Sequence, residues 1–316
     1  MPNKLNAQPR EAYLRLRLPA TSANLGPAFD AAALALNLYI TIEARPAKEF
    51  CIRATGRDEE ICGTLHDDHL ILSTYREVLE DREQPVIALA FTIRNEIPIG
   101  KGCGSSAAAR LTGIALANHF GKFGWNDAQI IGEASRREHH PDNASACWMG
   151  GMAIARMSGE SEAQIVSIRP KGKWPILLAV SGQRLSTEEA RRVLPAHYAR
   201  VDAVSNIQSS MLLLAAFTQG RHDLLPAALE DRIHQPYRAP LCPLLAPLQE
   251  LSGKHGVLGV ALSGAGPSVL IFLDPKSEAV RVKEMVAAHL AHAGLDAELI
   301  ATSIALQGGS GSFRRN

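Results

Sequence analysis

Leu14, Leu16 and Leu18 alternate with Arg15 and Arg17, the period of two that a strand with one buried face requires. Short apolar runs bounded by polar or turn residues predict further strands over 36–44, 50–55, 86–94, 152–157, 163–168, 175–180, 257–262, 268–273 and 298–306. Apolar positions three and four residues apart predict helices over 70–80, 126–138, 201–217 and 277–293, with shorter ones over 222–230 and 241–252. Ser186–Thr187–Glu188–Glu189 reads as a helix start, a hydroxyl cap followed by acidic residues. Pro141 stops the helix that ends at Glu138. Pro19–Asp30 is rich in Ser, Asn, Gly and Pro and suits a loop. Strands and helices do not alternate strictly, which favours α+β with mixed sheets over a doubly wound parallel fold. Ser158–Gly159–Glu160 interrupts the apolar runs, so we expect an N-terminal domain over 11–160 and a C-terminal domain over 161–306, with flexible tails at 1–10 and 307–316.

Composition narrows the function classes. With 46% apolar and 21% charged residues, the 316-residue chain can build two cores. Lys+Arg 33 against Asp+Glu 32 gives a net charge of +1, so no nucleic-acid partner is expected. The five cysteines are scattered without a CxxC pair, which argues against zinc and against a disulfide framework. A polar N-terminus and the lack of a long apolar run lead us to expect a cytoplasmic protein with no membrane partner.

The most informative stretch is Pro98–Phe120, PIGKGCGSSAAARLTGIALANHF. Gly100, Gly102 and Gly104 precede two hydroxyls, Ser105 and Ser106, and then a helix-forming run. Glycines let the backbone turn tightly and let a ligand approach, because no Cβ intervenes. Ser105 or Ser106 suits the helix N-cap, and the first turn offers unpaired N–H groups to an anion. The stretch lies between a strand and a helix and reads as a phosphate cradle. It has neither the Walker A spacing nor the dinucleotide-binding fingerprint.

Three stretches together resemble the GHMP kinases: PATSANLGPAFD at 19–30, PIGKGCGSSAAA at 98–109 and SGAGPS at 263–268. Within that family, His139–Asn143 (HHPDN), the segment Leu185–Pro195 and Gln235–Leu241 (QPYRAPL) are most similar to the branch that phosphorylates L-homoserine. The resemblance implies an N-terminal domain like that of ribosomal protein S5, a ferredoxin-like C-terminal domain, ATP and Mg²⁺ as cofactors, and L-homoserine as substrate. Another small-molecule kinase of the family and a non-catalytic nucleotide-binding relative are the alternatives. A homodimer is compatible with either.

Carried over residue by residue, the resemblance places Pro98, Gly100, Lys101, Gly102, Cys103, Gly104, Ser105, Ser106, Ala107, Gly264 and Gly266 around ATP. Ser105 and Glu138 would hold Mg²⁺, with Glu133 as the rival carboxylate. Asn24, Asp30, His140, Asn143, Thr187, Arg191 and Arg238 would form the substrate site. Asp30 would pair the substrate's ammonium, and Arg191 and Arg238 its carboxylate. Asn143 and Arg191 are the expected catalytic residues. An amide cannot abstract a proton, so catalysis by positioning and charge stabilisation is expected. The chain departs from the family pattern at Ala28 and His139, where glycine is usual, and at Cys103, where leucine is. It has Asp68–His69 where an asparagine often lies near the adenine.

Overall fold

The computed structural model describes residues 13–65, 69–160 and 162–313. In chain order the strands are β1 (Leu14–Asn24), β2 (Ala28–Pro46), β3 (Cys51–Gly56), β4 (Leu89–Asn95), β5 (Met152–Met157), β6 (Ala163–Ile168), β7 (Pro175–Ser181), β8 (Val257–Leu262), β9 (Val269–Leu273) and β10 (Ala297–Ser303). The helices are α1 (Glu59–Gly63), α2 (Leu70–Glu80), α3 (Ser105–Phe120), α4 (Asp127–Glu138), α5 (Asp142–Met149), α6 (Thr187–Arg192), α7 (Arg200–Gln219), α8 (Leu225–Ala228), α9 (Gln235–Arg238), α10 (Leu245–Gln249), α11 (Ala279–His292) and α12 (Gly309–Phe313).

Six strands form the first sheet, in the order β3-β4-β2-β5-β6 with β1 also paired to β2. The β3–β4 pair is parallel and the other pairs are antiparallel, so the sheet is mixed as expected. Helices α2, α3, α4 and α5 cover it, burying Tyr75, Leu111, Ile114, Ile131 and Trp148 against Leu16, Leu18 and Leu34. The second sheet runs β10-β7-β9-β8 and is antiparallel throughout. Numbered within this half of the chain the order is 4-1-3-2, the ferredoxin-like arrangement. Strand β7 alternates between two cores: Ile176, Leu178 and Val180 join the large core, while Leu177 and Ala179 join a second one with α10 and α11. A sheet buried on both faces needs a continuous apolar run, and PILLAV supplies it.

Four expectations change. Strand β6 pairs with β5, so the chain leaves the first sheet only after Ile168, beyond the interruption near residue 160. The stretch Pro19–Asn24 is strand, not loop: β1 continues through it with register shifts at Pro19/Ala20 and Ala23/Asn24. Its Ala20, Thr21, Ser22 and Ala23 are all buried, so no polar alternation marks it. Helix α5 was not expected after Pro141, because Ala144, Ser145, Ala146 and Cys147 are small and buried all round. Finally, residues 309–313 form α12 instead of a loose tail. Phe313 lies 5.5 Å from the Trp148 ring, and Arg17 N donates to Ser312 Oγ at 3.1 Å. Residues 1–10 and 314–316 of the expected tails fall outside the described residues.

Candidate active site

The site forms where the three motif stretches touch. Asn24 Nδ2 donates to Gly264 O at 2.8 Å, and Gly264 N donates to Ala23 O at 3.1 Å. Ser263 Oγ donates to Gly102 O at 2.7 Å, and Thr21 N to Cys103 O at 3.0 Å. Close approach dictates the glycines here. A Cβ on Gly102 would lie 2.2 Å from Ser263 O, and one on Gly104 would lie 1.8 Å from Thr21 Oγ1. Both have φ above +70°, where a side chain is strained. The helix N-cap is Gly104 itself, with Ser105 already in the first turn of α3. The hydroxyls are therefore released for other work. Ser105 Oγ accepts from Gly100 N at 3.4 Å, and Ser106 Oγ donates to Glu138 Oε1 at 2.7 Å.

A cavity of about 110 Å³ opens over this junction. Of the expected residues, Asn24, Asp30, His140, Asn143, Thr187, Arg191, Arg238, Glu138, Gly264, Gly266 and Gly100, with Gly102 through Ala107, all line it. Pro98, Lys101 and Glu133 do not. Lys101 Nζ points to the C-terminal half, donating to Gly182 O and Gln183 O at 2.6 and 2.5 Å. Glu133 is held by Arg136 and Arg137 at 2.7 and 2.8 Å on α4, so of these two glutamates Glu138 is the one at the cavity. The hydroxyl beside Glu138 belongs to Ser106, not Ser105. This Ser–Glu pair offers hard oxygen donors, a set that fits Mg²⁺, although Arg110 Nε also reaches Glu138 Oε1 at 2.6 Å.

Further charges line the same cavity. Arg191 Nη2 donates to both oxygens of Asp30, at 2.8 and 2.9 Å. Arg238 is 1% exposed and lies 5.2 Å from the Phe29 ring, which Arg191 approaches at 5.5 Å. Burial raises the Asp30 carboxyl above its ordinary value, and Arg191 only partly offsets this. His140 Nδ1 donates to Asp142 Oδ1 at 2.7 Å. Burial pulls the imidazole down, but Asp142, Asp30 and Glu138 together outweigh it and leave His140 easier to protonate than usual. Asp30, His140 and Asp142 lie close enough to hold a cation, yet the two guanidiniums beside them oppose one.

Besides Leu185 and Ala265 of the lining, two polar residues that brace the site are not among those expected from the sequence. Thr21 Oγ1 donates to Asn143 Oδ1 at 2.5 Å. Asp142 accepts from His140 and from Asn143 N at 2.6 Å. Both sat inside the quoted motifs, but neither spacing nor residue type set them apart. Local strain marks the same region: Asn24, Leu25, Asp30 and His139 all have positive φ. The usual glycine at position 139 thus has a steric reason, and this chain places a histidine there at some cost. Ala28 carries no such strain, being the first residue of β2, paired with Asn24.

A second cavity of about 390 Å³ adjoins the glycine loop. Ile40, Ile71, Ile93, Ile97 and Ile99 line it, with His69 at its edge. His69 Nε2 lies 3.1 Å from Cys62 O; Asp68 lies outside the described residues.

The family model for the N-terminal domain of GHMP kinases matches residues 69–151, and that for their C-terminal domain matches 213–292. The chain belongs to the GHMP kinase family. Among curated relatives of this GHMP kinase, the homoserine kinase of Solibacter usitatus is 41% identical over 270 residues, covering 85% of this chain and 88% of the relative. That of a Synechococcus strain is 38% identical over 272 residues, again covering 85% and 88%. The crystal structure of homoserine kinase from Cytophaga hutchinsonii superposes with a TM-score of 0.78 at 21% identity, over 96% of this chain and 98% of that one. Mevalonate kinase of L. major superposes with a TM-score of 0.69 at 13% identity, over 94% and 98%. The last two likenesses establish that the GHMP kinase fold is shared.

Proposed function

We propose that this GHMP kinase transfers the γ-phosphoryl group of ATP to the hydroxyl of L-homoserine, giving ADP and O-phospho-L-homoserine on the route to threonine. One observation carries the reading. In a cavity of about 110 Å³ beside the glycine loop, Asp30 faces Arg191 and Arg238. A small zwitterion with a hydroxyl presents the matching charges, whereas a neutral sugar does not. The relatives named homoserine kinase, at 41% and 38% identity, agree.

The N-terminal domain, through β6, takes the nucleotide. The apolar cavity accepts adenine, and the N–H groups of residues 100–106 face the phosphates. Ser106 and Glu138 hold Mg²⁺, which when bound offsets the phosphates' negative charge. Arg191 and Arg238 clamp the substrate carboxylate while Asp30 takes its ammonium. Asn143, oriented by Thr21, fixes the hydroxyl toward the γ-phosphate. As its amide cannot accept the proton, the proton leaves with the phosphate oxygens, and the rate comes from positioning and from the charge on Arg191. We place the enzyme in the cytoplasm; among the described residues no helix is long and apolar enough to cross a membrane. The homodimer draws support from α7, whose outward Val201, Val204, Ile207 and Met211 are 73%, 47%, 63% and 62% exposed.

The test is ADP release from Mg-ATP with pure protein, comparing L-homoserine with mevalonate, galactose and shikimate. Turnover on L-homoserine alone is expected. Preference for another acceptor would remove the substrate assignment and keep the kinase.

A further inference from the structure

We propose that His234 is the positioning residue for Arg238: a neutral imidazole that aims the guanidinium into the cavity and ties it to the turn between β1 and β2. The proposal rests on the reading of Arg238 as a carboxylate clamp.

His234 is fully buried, one helical turn before Arg238. Its Nε2 lies 2.8 Å from Gly26 O and 3.4 Å from Asp231 Oδ2. Both of these only accept, so Nε2 must carry the hydrogen. Its Nδ1 lies 3.2 Å from Arg238 Nη1. A guanidinium only donates, so Nδ1 must present its lone pair. The partners on the two sides therefore dictate one tautomer, and the ring is uncharged. Burial supports this by pushing the imidazole down to about 4.

Each neighbour of His234 is itself fixed. Asp231 accepts from the backbone N–H groups of Ile233, His234 and Gln235 at 2.8, 3.1 and 2.6 Å. Gly26 cannot retreat, because a Cβ there would lie 2.6 Å from Leu229 O, so the turn between β1 and β2 is pressed onto the C-terminal half. Phe29 stacks on His234 with ring centroids 5.3 Å apart, the same ring that both guanidiniums approach. Arg238 Nε donates to Ala190 O at 2.9 Å and Nη1 makes a longer contact, 3.5 Å, to Gly264 O.

The chemistry explains why a histidine serves here. A carboxylate partner would hold Arg238 equally well but would cancel its charge. A neutral acceptor holds the plane of the guanidinium and leaves the full positive charge for the substrate carboxylate. No carboxylate is bonded to Arg238 among the described residues. Arg191, in contrast, is paired to Asp30 until a ligand arrives.

Two variants of the full chain separate the roles of the two ring nitrogens. Asparagine places its oxygen near the Nδ1 position and keeps the acceptor for Arg238. Glutamine places its amide near the Nε2 position and keeps only the donor to Gly26. We expect His234→Gln to raise KM for L-homoserine about tenfold while KM for ATP stays within about twofold, and His234→Asn to recover most of that loss. Equal effects of the two variants on KM for L-homoserine would overturn the proposal. Long-range ¹H–¹⁵N spectra of the wild-type histidines supply a measurement that does not depend on a variant folding. The Nε2–H tautomer of His234 at pH 7, with its Nδ1 shift moving as L-homoserine is added, is expected; an Nδ1–H or charged ring would overturn the proposal. Wild-type protein without turnover on L-homoserine would instead remove the substrate assignment, and the tautomer would still decide whether His234 accepts from Arg238.

Discussion

Arg191 and Asp30 lie 161 residues apart in the chain and neutralise each other through two contacts from one nitrogen, at 2.8 and 2.9 Å. On the proposed function, a zwitterion entering the cavity would replace this pair with two new ones, its carboxylate on Arg191 and its ammonium on Asp30. The exchange makes the two residues interdependent. Arg191→Ala leaves Asp30 half-buried and unpaired, and Asp30→Ala does the same to Arg191. Each single change should lower kcat/KM for L-homoserine by about a hundredfold or more. The double variant should lose clearly less than the product of the two, because the second change removes a charge the first has orphaned. A double-mutant cycle on kcat/KM measures this, and strict additivity would contradict the exchange.

Thr21 donates to the Asn143 amide and also sits under the glycine loop. Thr21→Val keeps the shape but leaves Asn143 Oδ1 without its 2.5 Å donor. We expect kcat to fall about tenfold or more with KM for ATP little changed. Thr21→Ser keeps the hydroxyl and should restore most of the rate. Gly104→Ala is a different case, since its Cβ would lie 1.8 Å from Thr21 Oγ1 at a φ of +71°. That variant should lose both nucleotide binding and Tm, read by isothermal titration and by calorimetry.

The parts of the molecule visible in the sequence are those where one face meets water. Leu14, Leu16 and Leu18 against Arg15 and Arg17 announce a strand because the arginines stay exposed. The same strand disappears from view at Ala20, where both faces become buried and the small residues no longer alternate. Helix α5 is hidden for the same reason. The glycine loop was legible because steric closeness can be met by glycine alone, although the close neighbours of Gly102 and Gly104 are Ser263 and Thr21 of the chain itself. Roles within the site were less so. Asn24 uses both ends of its amide on the backbone, donating to Gly264 O and accepting from Asp30 N at 2.9 Å. Side-chain type alone could not separate such a brace from a group that meets the ligand.

Glu138 and Glu133 should separate cleanly. Glu138 lines the cavity and touches Ser106, so Glu138→Gln should raise the Mg²⁺ concentration needed for half-maximal activity by about tenfold or more, with a small change in Tm. Glu133 is 7% exposed and holds Arg136 and Arg137. Glu133→Gln should leave the Mg²⁺ requirement in place and lower Tm, because it leaves the largely buried Arg137 without its nearest carboxylate on α4. Magnesium titrations of activity beside thermal scans distinguish the two.

The apolar outer face of α7 predicts self-association. A charge placed at its centre, Ile207→Asp, falls on a residue that does not line the cavity and should shift the protein from the proposed dimer to monomer in light scattering. Kinetic constants measured on the separated monomer should stay near those of the wild type. A monomeric wild-type protein at micromolar concentration would remove the basis for this prediction.

His234 and His140 give stability opposite pH dependences. His234 is held neutral in the folded protein, its imidazole lowered to about 4 first by burial and then by Arg238, with Asp231, Asp142 and the Gly26 carbonyl acting the other way. The unfolded chain therefore takes up a proton at this residue near pH 6.5 while the folded protein does not. Stability attributable to His234 is intact above pH 6.5 and is lost as pH falls from there toward 4, by on the order of 3 kcal/mol when complete. His140 is raised in the folded protein, so its contribution is present below pH 6.5 and is lost as pH rises through its folded value. Tm measured between pH 4.5 and 6.5 should fall with acid more steeply in the wild type than in His234→Asn, because the amide has nothing to titrate. The carboxylates are common to both proteins and cancel in the difference. Parallel curves for the two would mean that His234 is not held neutral, and would count against its lone pair facing Arg238.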